Sequence, residues 1–224
     1  MPAVVDWGFR DYAESLAEMR EMVVARRRGE IPDTLILVEH PPVVTVGREG
    51  DDGAARQSGL PVIEVERGGR ATYHGPGQLV GYPIVNLDPR GHDVRRFVHE
   101  VEAVVVEAVG ELGVRAGHRS GQHGVWVDGR RKIASIGIAV DHWVTFHGFA
   151  LNVDLDLAPF EQFRPCGLDG AVMTSIAREV GHPVEVDAVR GPVTRAWDRG
   201  FGSADRPIAA SRAPDRAEAA RSVA

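Results

Sequence analysis

Short β-branched runs in this chain come in adjacent groups, with few helices long enough to cross over between them. That order constrains the fold strongly, because parallel neighbours need a crossover of about a dozen residues while antiparallel neighbours need only a turn. Thr34 to Val38 and Val43 to Val46 flank the break His40-Pro41-Pro42, and Val62 to Val65 and Leu79 to Leu87 follow. Val125 to Val127 and Lys132 to Val140 flank Asp128-Gly129, a dipeptide that supplies the positive φ angles of a tight hairpin. Val144 to Val153 is expected to pair with that hairpin. The fold class expected is α+β rather than a doubly wound parallel sheet.

Helices punctuate these runs. Tyr12, Leu16, Met19 and Val23 recur at helical spacing until Gly29. A second helix is expected from near Asp93, with Phe97, Val101, Val104, Val105, Ala108 and Leu112 on one face and Gly113 as its stop. Thr174 is placed to cap a short helix ending at Gly181, and a last helix follows Asp187 despite Pro192. Residues 203–224 are rich in Ala, Arg and Pro with almost no large apolar side chain, and are expected to form a disordered or loosely docked tail. Residues 1–202 are expected to form a single domain.

Charge and hydropathy narrow the partners. The 32 acidic and 26 basic residues leave a net charge of −6, which argues against nucleic acid as the main partner. No window supplies the roughly 18 apolar residues of a membrane helix, and the N-terminus lacks the pattern of a secretory signal. With a single cysteine, these features lead to the expectation of a cytoplasmic protein.

That cysteine, Cys166, stands between Pro165 and Gly167, which hold the backbone in a turn. A lone thiol cannot form an intramolecular disulfide, so it is either a buried filler or a reactive group. Three other segments bear on the choice. Arg67-Gly68-Gly69-Arg70-Ala71-Thr72-Tyr73-His74 runs on through Gly75, Gly77 and Gln78, combining glycines with polar side chains that ordinary turns do not need. It matches neither GxxxxGK[ST] nor GxGxxG. Arg131-Lys132-Ile133-Ala134-Ser135-Ile136-Gly137 opens a strand with a lysine, either a solvated edge charge or the cation that helps a thiol of ordinary pKa about 8.5 to ionise. His147-Gly148-Phe149-Ala150-Leu151-Asn152 offers an imidazole and an amide, each of which could equally be an internally satisfied core group. A zinc site from His74, His147 and Cys166 has suitable ligand types but matches no zinc spacing, and a Cys-His pair of protease type is a further alternative.

Taken in register, LVEHPPVVTVGR, RGGRATYHGPGQLVGYPI, RKIASIGIAV, FHGFALNV and PCG resemble the lipoyl(octanoyl) transferase family, from about Leu35 to Gly181. The resemblance implies the fold of biotin and lipoate protein ligase catalytic domains, a mixed, mostly antiparallel sheet with flanking helices. It implies a catalytic dyad of Cys166 and Lys132 and substrate contacts from Arg67 to His74, from Ser135, Ile136 and Gly137, and from Gly148, Phe149 and Ala150. Gly77, Gln78, His147 and Asn152 are candidate supporting residues. The implied reaction moves an octanoyl group from octanoyl-acyl carrier protein to a lysine of a lipoyl domain, in a 2-oxoacid dehydrogenase complex or glycine cleavage H protein. The donor is already a thioester, so neither ATP, a metal nor any other cofactor is expected. A monomer is expected, meeting its acidic partners through a basic patch of Arg67, Arg70, Arg130, Arg131 and Arg164. Oxyanion donors are sought in the Gly75–Gln78 turn or around Gly167.

Overall fold

A computed structural model of the chain describes residues 2–50, 53–162 and 172–202. Cys166, Arg164 and the 203–224 tail lie outside the described residues. In chain order the elements are β1 (Ala3–Phe9), α1 (Tyr12–Arg27), β2 (Thr34–Glu39), β3 (Val43–Val46), α2 (Ala54–Gln57), β4 (Val62–Glu64), β5 (Ala71–His74) and β6 (Gln78–Ile84). They continue with α3 (Val94–Glu111), β7 (Ala116–Arg119), β8 (Gln122–Val127), β9 (Arg131–Asp141), β10 (Val144–Asn152), α4 (Ile176–Val180) and α5 (Val186–Phe201).

A seven-stranded sheet runs in the order β1-β2-β6-β10-β9-β8-β7, and a three-stranded one in the order β4-β3-β5. Only β1/β2 and β3/β4 are parallel pairs, so the α+β, mostly antiparallel expectation holds. His40-Pro41-Pro42 does more than interrupt a strand: it carries the chain from β2 in the large sheet to β3 in the small one. Alternation along β2 divides the interior into two cores. Leu35 and Leu37 join α3 and α5 on one face, while Ile36 and Val38 join α1 on the other. A third cluster, with Val44, Ala71, Tyr73 and Phe160, lies under the small sheet.

Local chemistry sets most element ends. Asp11 caps α1 by accepting from the N–H groups of Ala13 and Glu14 at 2.8 and 3.2 Å, and Asp93 caps α3 from Arg96 N–H at 2.9 Å. Such caps contribute about 1 kcal/mol each. The β8/β9 hairpin turns on Asp128 and Gly129, both at positive φ (50° and 64°). The short helix α4 is capped by Ser175, not by Thr174: Ser175 accepts from Arg178 N–H at 3.3 Å, while the Thr174 hydroxyl donates to Glu179 at 2.6 Å. Pro192 lies within α5 and is buried, so its ring packs into the core although it removes one helical hydrogen bond. The strands β1 and β7, absent from the sequence reading, form the two edges of the large sheet.

Candidate active site

The large sheet presents a cleft on its α1 face, enclosing about 420 Å³ of space that is partly open to solvent. Three sequence segments converge there from separate elements. Arg67, Gly68 and Gly69 border it from the loop before β5, and Thr72 and His74 from β5 itself. Ser135, Ile136 and Gly137 come from β9, and His147, Gly148, Phe149 and Ala150 from the adjacent β10. Tyr12, Val80 and Tyr82 complete it. Tyr12 reads in the sequence only as a helix residue, and Val80 and Tyr82 lie in the LVGYPI part of a motif segment without being singled out as site residues. Alternation explains which neighbours are absent: Ala71 and Tyr73 point from β5 into the third core, and Arg70 does not border the cleft.

The glycine-rich loop is held by a guanidinium. Arg67 is 7% exposed; its Nη2 donates to Thr45 O at 2.8 Å and Thr45 Oγ1 at 2.9 Å, and its Nη1 to Arg70 O at 2.7 Å and Gly68 O at 3.1 Å. Close approach requires glycine at Gly47, where an added Cβ would come within 2.4 Å of the Gly69 carbonyl oxygen. Arg67 is therefore turned inward, and Arg131 is paired with Glu179 and Asp128. The basic surface patch expected from the sequence thus loses Arg67, which is buried, while Arg131, although paired, stays exposed.

A chain of side-chain amides links the cleft to Lys132. Gln78 Nε2 donates to Tyr73 O at 3.1 Å and to Asn152 Oδ1 at 3.0 Å, and Asn152 Nδ2 donates to Thr174 O at 2.9 Å. The two backbone carbonyls can only accept, which orients both amides and leaves Gln78 Oε1 to accept from His74 Nδ1–H at 2.8 Å. The other imidazole nitrogen, Nε2, accepts from the Thr45 hydroxyl at 3.3 Å. Burial first, then the neighbouring His40 and the Arg67 guanidinium, hold the His74 pKa well below 6.5. At the far end, Thr174 N–H donates to Lys132 O at 3.0 Å, and Met173 bridges to Lys132.

Lys132 is 3% exposed, with Nζ 5.5 Å from the centre of the Trp126 ring. It is not the solvated edge charge that a strand-opening lysine usually is. Its stem crosses Gly124 of β8, where φ is +113° and an added Cβ would meet Lys132 Cε at 2.6 Å. The segment after Cys166 thus returns beside Lys132 at Met173 and Thr174, while Phe160 before it packs edge-on to Tyr73 at 5.7 Å.

Under the cleft lies a neutral ring of imidazoles and phenols. His40 donates Nδ1–H to Arg10 O at 2.7 Å and accepts from the Tyr82 hydroxyl at 2.8 Å. His147 faces Tyr12 OH at 3.5 Å and Glu66 at 3.4 Å. Burial lowers the pKa of both histidines to about 4 and raises that of Tyr12 to about 12. Positive φ at His147 (55°) turns this side chain to the α1 face, next to Phe146. Both nitrogens of His74 and of His147 have hydrogen-bonding partners among the described residues. By contrast, the hydroxyls of Thr72 and Ser135 border the cleft, are buried and have no partner among the described residues.

Two further expectations change. Gly148 and Ala150 are two apart on β10, but a Cβ on Gly148 would strike the Gly81 carbonyl oxygen at 2.0 Å and Pro83 at 2.5 Å. Gly148 therefore borders the cleft and also lets β10 lie close to β6, with no room for a side chain, while Ala150 faces the α1-side core and the cleft. In the Gly75–Gln78 turn, Gln78 N–H donates to Gly75 O at 3.1 Å, so it is not a free oxyanion donor. Gly77, with φ +87°, packs on Asp154.

The model for the lipoyl protein ligase A/B catalytic domain family matches residues 11–197. An octanoyltransferase of Geobacter sulfurreducens is 44% identical over 190 residues, covering 85% of this chain and 80% of its own length. One of Mycobacterium tuberculosis is 45% identical over 192 residues, covering 84% of this chain and 82% of its own. Among solved structures, a lipoate-protein ligase A bound with ATP superposes with TM-score 0.72 at 16% identity, over 90% of this chain and 85% of that one. The apo biotin protein ligase from Aquifex aeolicus gives TM-score 0.52 at 10% identity, over 90% of this chain and 69% of that one. At such identities these two likenesses concern the fold.

Proposed function

The chain belongs to the lipoyl protein ligase A/B catalytic domain family, and from that premise we propose that it is an octanoyltransferase working through an acyl-cysteine. The observation that carries the mechanism is the bonded chain from His74 through Gln78, Asn152 and Thr174 to Lys132. It ties the backbone of a buried lysine to a cleft bordered by small residues and by two hydroxyls with no partner among the described residues.

In this reading Lys132 takes the thiol proton of Cys166, and the thiolate attacks the carbonyl carbon of octanoyl-acyl carrier protein. The new C–S bond forms as the phosphopantetheine C–S bond breaks, and the departing thiolate takes a proton from the Lys132 ammonium. The amine of the target lysine on a lipoyl domain then attacks the acyl-cysteine. Neutral Lys132 accepts the excess amine proton, the Cys166 thiolate leaves and an amide remains. Both steps exchange an activated acyl group, so ATP is not consumed. The thioester carbonyl is placed near the Thr72 and Ser135 hydroxyls, and the acyl chain along Gly137 and Ala150. Residues 1–202 act as the catalytic domain, working in the cytoplasm. No described helix is long and apolar enough to cross a membrane.

Intact-mass spectrometry tests this reading. Mixing the protein with octanoyl-acyl carrier protein, without ATP, should add one octanoyl group, which should disappear on adding a lipoyl domain. Octanoylation of the lipoyl domain that depends on ATP and free octanoate, with no adduct on the enzyme, would instead assign ligase chemistry.

A further inference from the structure

Away from the cleft, Glu102 lies in the middle of α3 with only 2% of its side chain exposed. A buried carboxylate is costly unless its oxygens are well supplied with donors or cations. Here the supply comes from three elements. Gly124 N–H of β8 donates to Oε1 at 2.8 Å, and His99 Nδ1 of α3 and His118 Nδ1 of β7 approach Oε2 at 3.0 and 2.7 Å. His99 and Glu102 share one helix face at a spacing of three, and the sheet edge brings His118 against them. The two rings stand edge-on, with centres 5.6 Å apart.

We propose that His99, Glu102 and His118 form a divalent-cation site, best suited to Zn²⁺. Two imidazole nitrogens and one carboxylate oxygen, all within 4.8 Å of one another, make a His₂Glu donor set. Tetrahedral coordination with bonds of about 2.0–2.1 Å places ligand atoms roughly 3.3 Å apart. The observed 2.7 and 3.0 Å separations from Oε2 need to open by roughly half an ångström or less, and the two Nδ1 atoms already lie within 4.8 Å of each other. On binding, each imidazole gives its Nδ1 lone pair to the metal, and the proton that Nδ1 carried toward Glu102 passes to Nε2 or to solvent. The bond from Gly124 N–H to Oε1 fixes the carboxylate and leaves Oε2 as the ligand atom. His99 and His118 are 64% and 41% exposed, which gives water a route to the remaining coordination position. None of the three borders the catalytic cleft. Sequence spacing did not mark this set, because His118 joins the other two only through the packing of β7 on α3.

The full chain, stripped with a chelator, would be titrated with ZnCl₂ in competition with a chromophoric chelator. Wild type and Cys166→Ser should each bind one equivalent with the same affinity, and His118→Ala and Glu102→Gln should bind at least tenfold more weakly. Replacing Zn²⁺ with Co²⁺ should give a visible absorption band that His118→Ala loses. His118 is half exposed, so its truncation leaves a folded protein even where Glu102→Gln destabilises the helix. Unchanged affinity in folded His118→Ala, or loss of binding in Cys166→Ser alone, overturns the proposal.

Discussion

Gln78 on β6 and Asn152 on β10 are register partners whose side-chain amides meet at 3.0 Å, joining segments 74 positions apart in sequence. The pair is the centre of the path from His74 to Lys132, and both amides are buried. Asn152→Ala would leave Gln78 and the Thr174 carbonyl without that partner, at a cost of about 1–3 kcal/mol in stability. Octanoyl transfer should fall further than stability accounts for, because Thr174 positions the Lys132 backbone. Urea unfolding together with kcat at a temperature where the variant is fully folded checks this. A full loss of stability with unchanged kcat would make the path purely structural.

Cys166→Ser should form no acyl adduct, because an alcohol is far less acidic than a thiol. Lys132→Ala and Lys132→Arg should both lower the transfer rate by about 10²–10⁴-fold, since a guanidinium keeps its proton and cannot act as a base. Single-turnover rates and the pH dependence of Cys166 alkylation report on this. Near-normal activity in Lys132→Arg would reduce the lysine to a fixed positive charge.

Gly124→Ala should disturb Lys132 without removing it. The added methyl would lie 2.6 Å from Lys132 Cε and 2.5 Å from the Ala134 carbonyl oxygen, at a φ of +113°. Backbone strain of this kind costs on the order of 1–3 kcal/mol. The variant should show a lower melting temperature and a kcat reduced more than KM is changed. Wild-type kcat in this variant would mean that the lysine stem tolerates displacement.

Ala150→Leu should narrow the acyl slot, whereas Gly148→Val should fail to fold because its side chain would enter the β6 backbone. Each methylene that no longer fits forfeits about 0.8 kcal/mol, or roughly fourfold in selectivity. Transfer from hexanoyl-, octanoyl- and decanoyl-carrier protein should therefore shift toward hexanoyl in Ala150→Leu. Equal loss at all three lengths would place the chain elsewhere.

Stability should fall as the solution is acidified from about pH 6.5 toward pH 4. His40 and His147 resist protonation in the fold, with pKa values lowered from 6.5 to about 4 by burial. Across that window the unfolded chain binds protons that the folded chain does not, so acid favours unfolding. The effect is on the order of 3 kcal/mol per histidine. Urea midpoints at pH 7.5 and pH 5 measure it, and His147→Gln should flatten the dependence. A midpoint that does not move with pH would show that these imidazoles protonate freely in place.

The existence of the long helices, the Asp128-Gly129 turn and the motif segments were legible in the sequence because each is decided within a few residues, whereas α4 is capped by Ser175 rather than Thr174 and α5 starts at Val186, before Asp187. Asp11 and Asp93 cap their own helices, and the turn needs only its own φ angles. Tertiary structure alone decided what those segments face. Arg67 reads as a surface charge until Thr45, 22 positions earlier, captures its guanidinium. That Gly148 must also be a glycine for β6 to lie beside β10 is not written in its own segment, and the edge strand β1 gains its place only by pairing with β2. Gln78 and Asn152 are two unremarkable amides until antiparallel register sets them opposite each other. The division follows from physics: local conformational preference is written in consecutive residues, whereas burial and hydrogen-bond partners depend on which distant strands share a sheet.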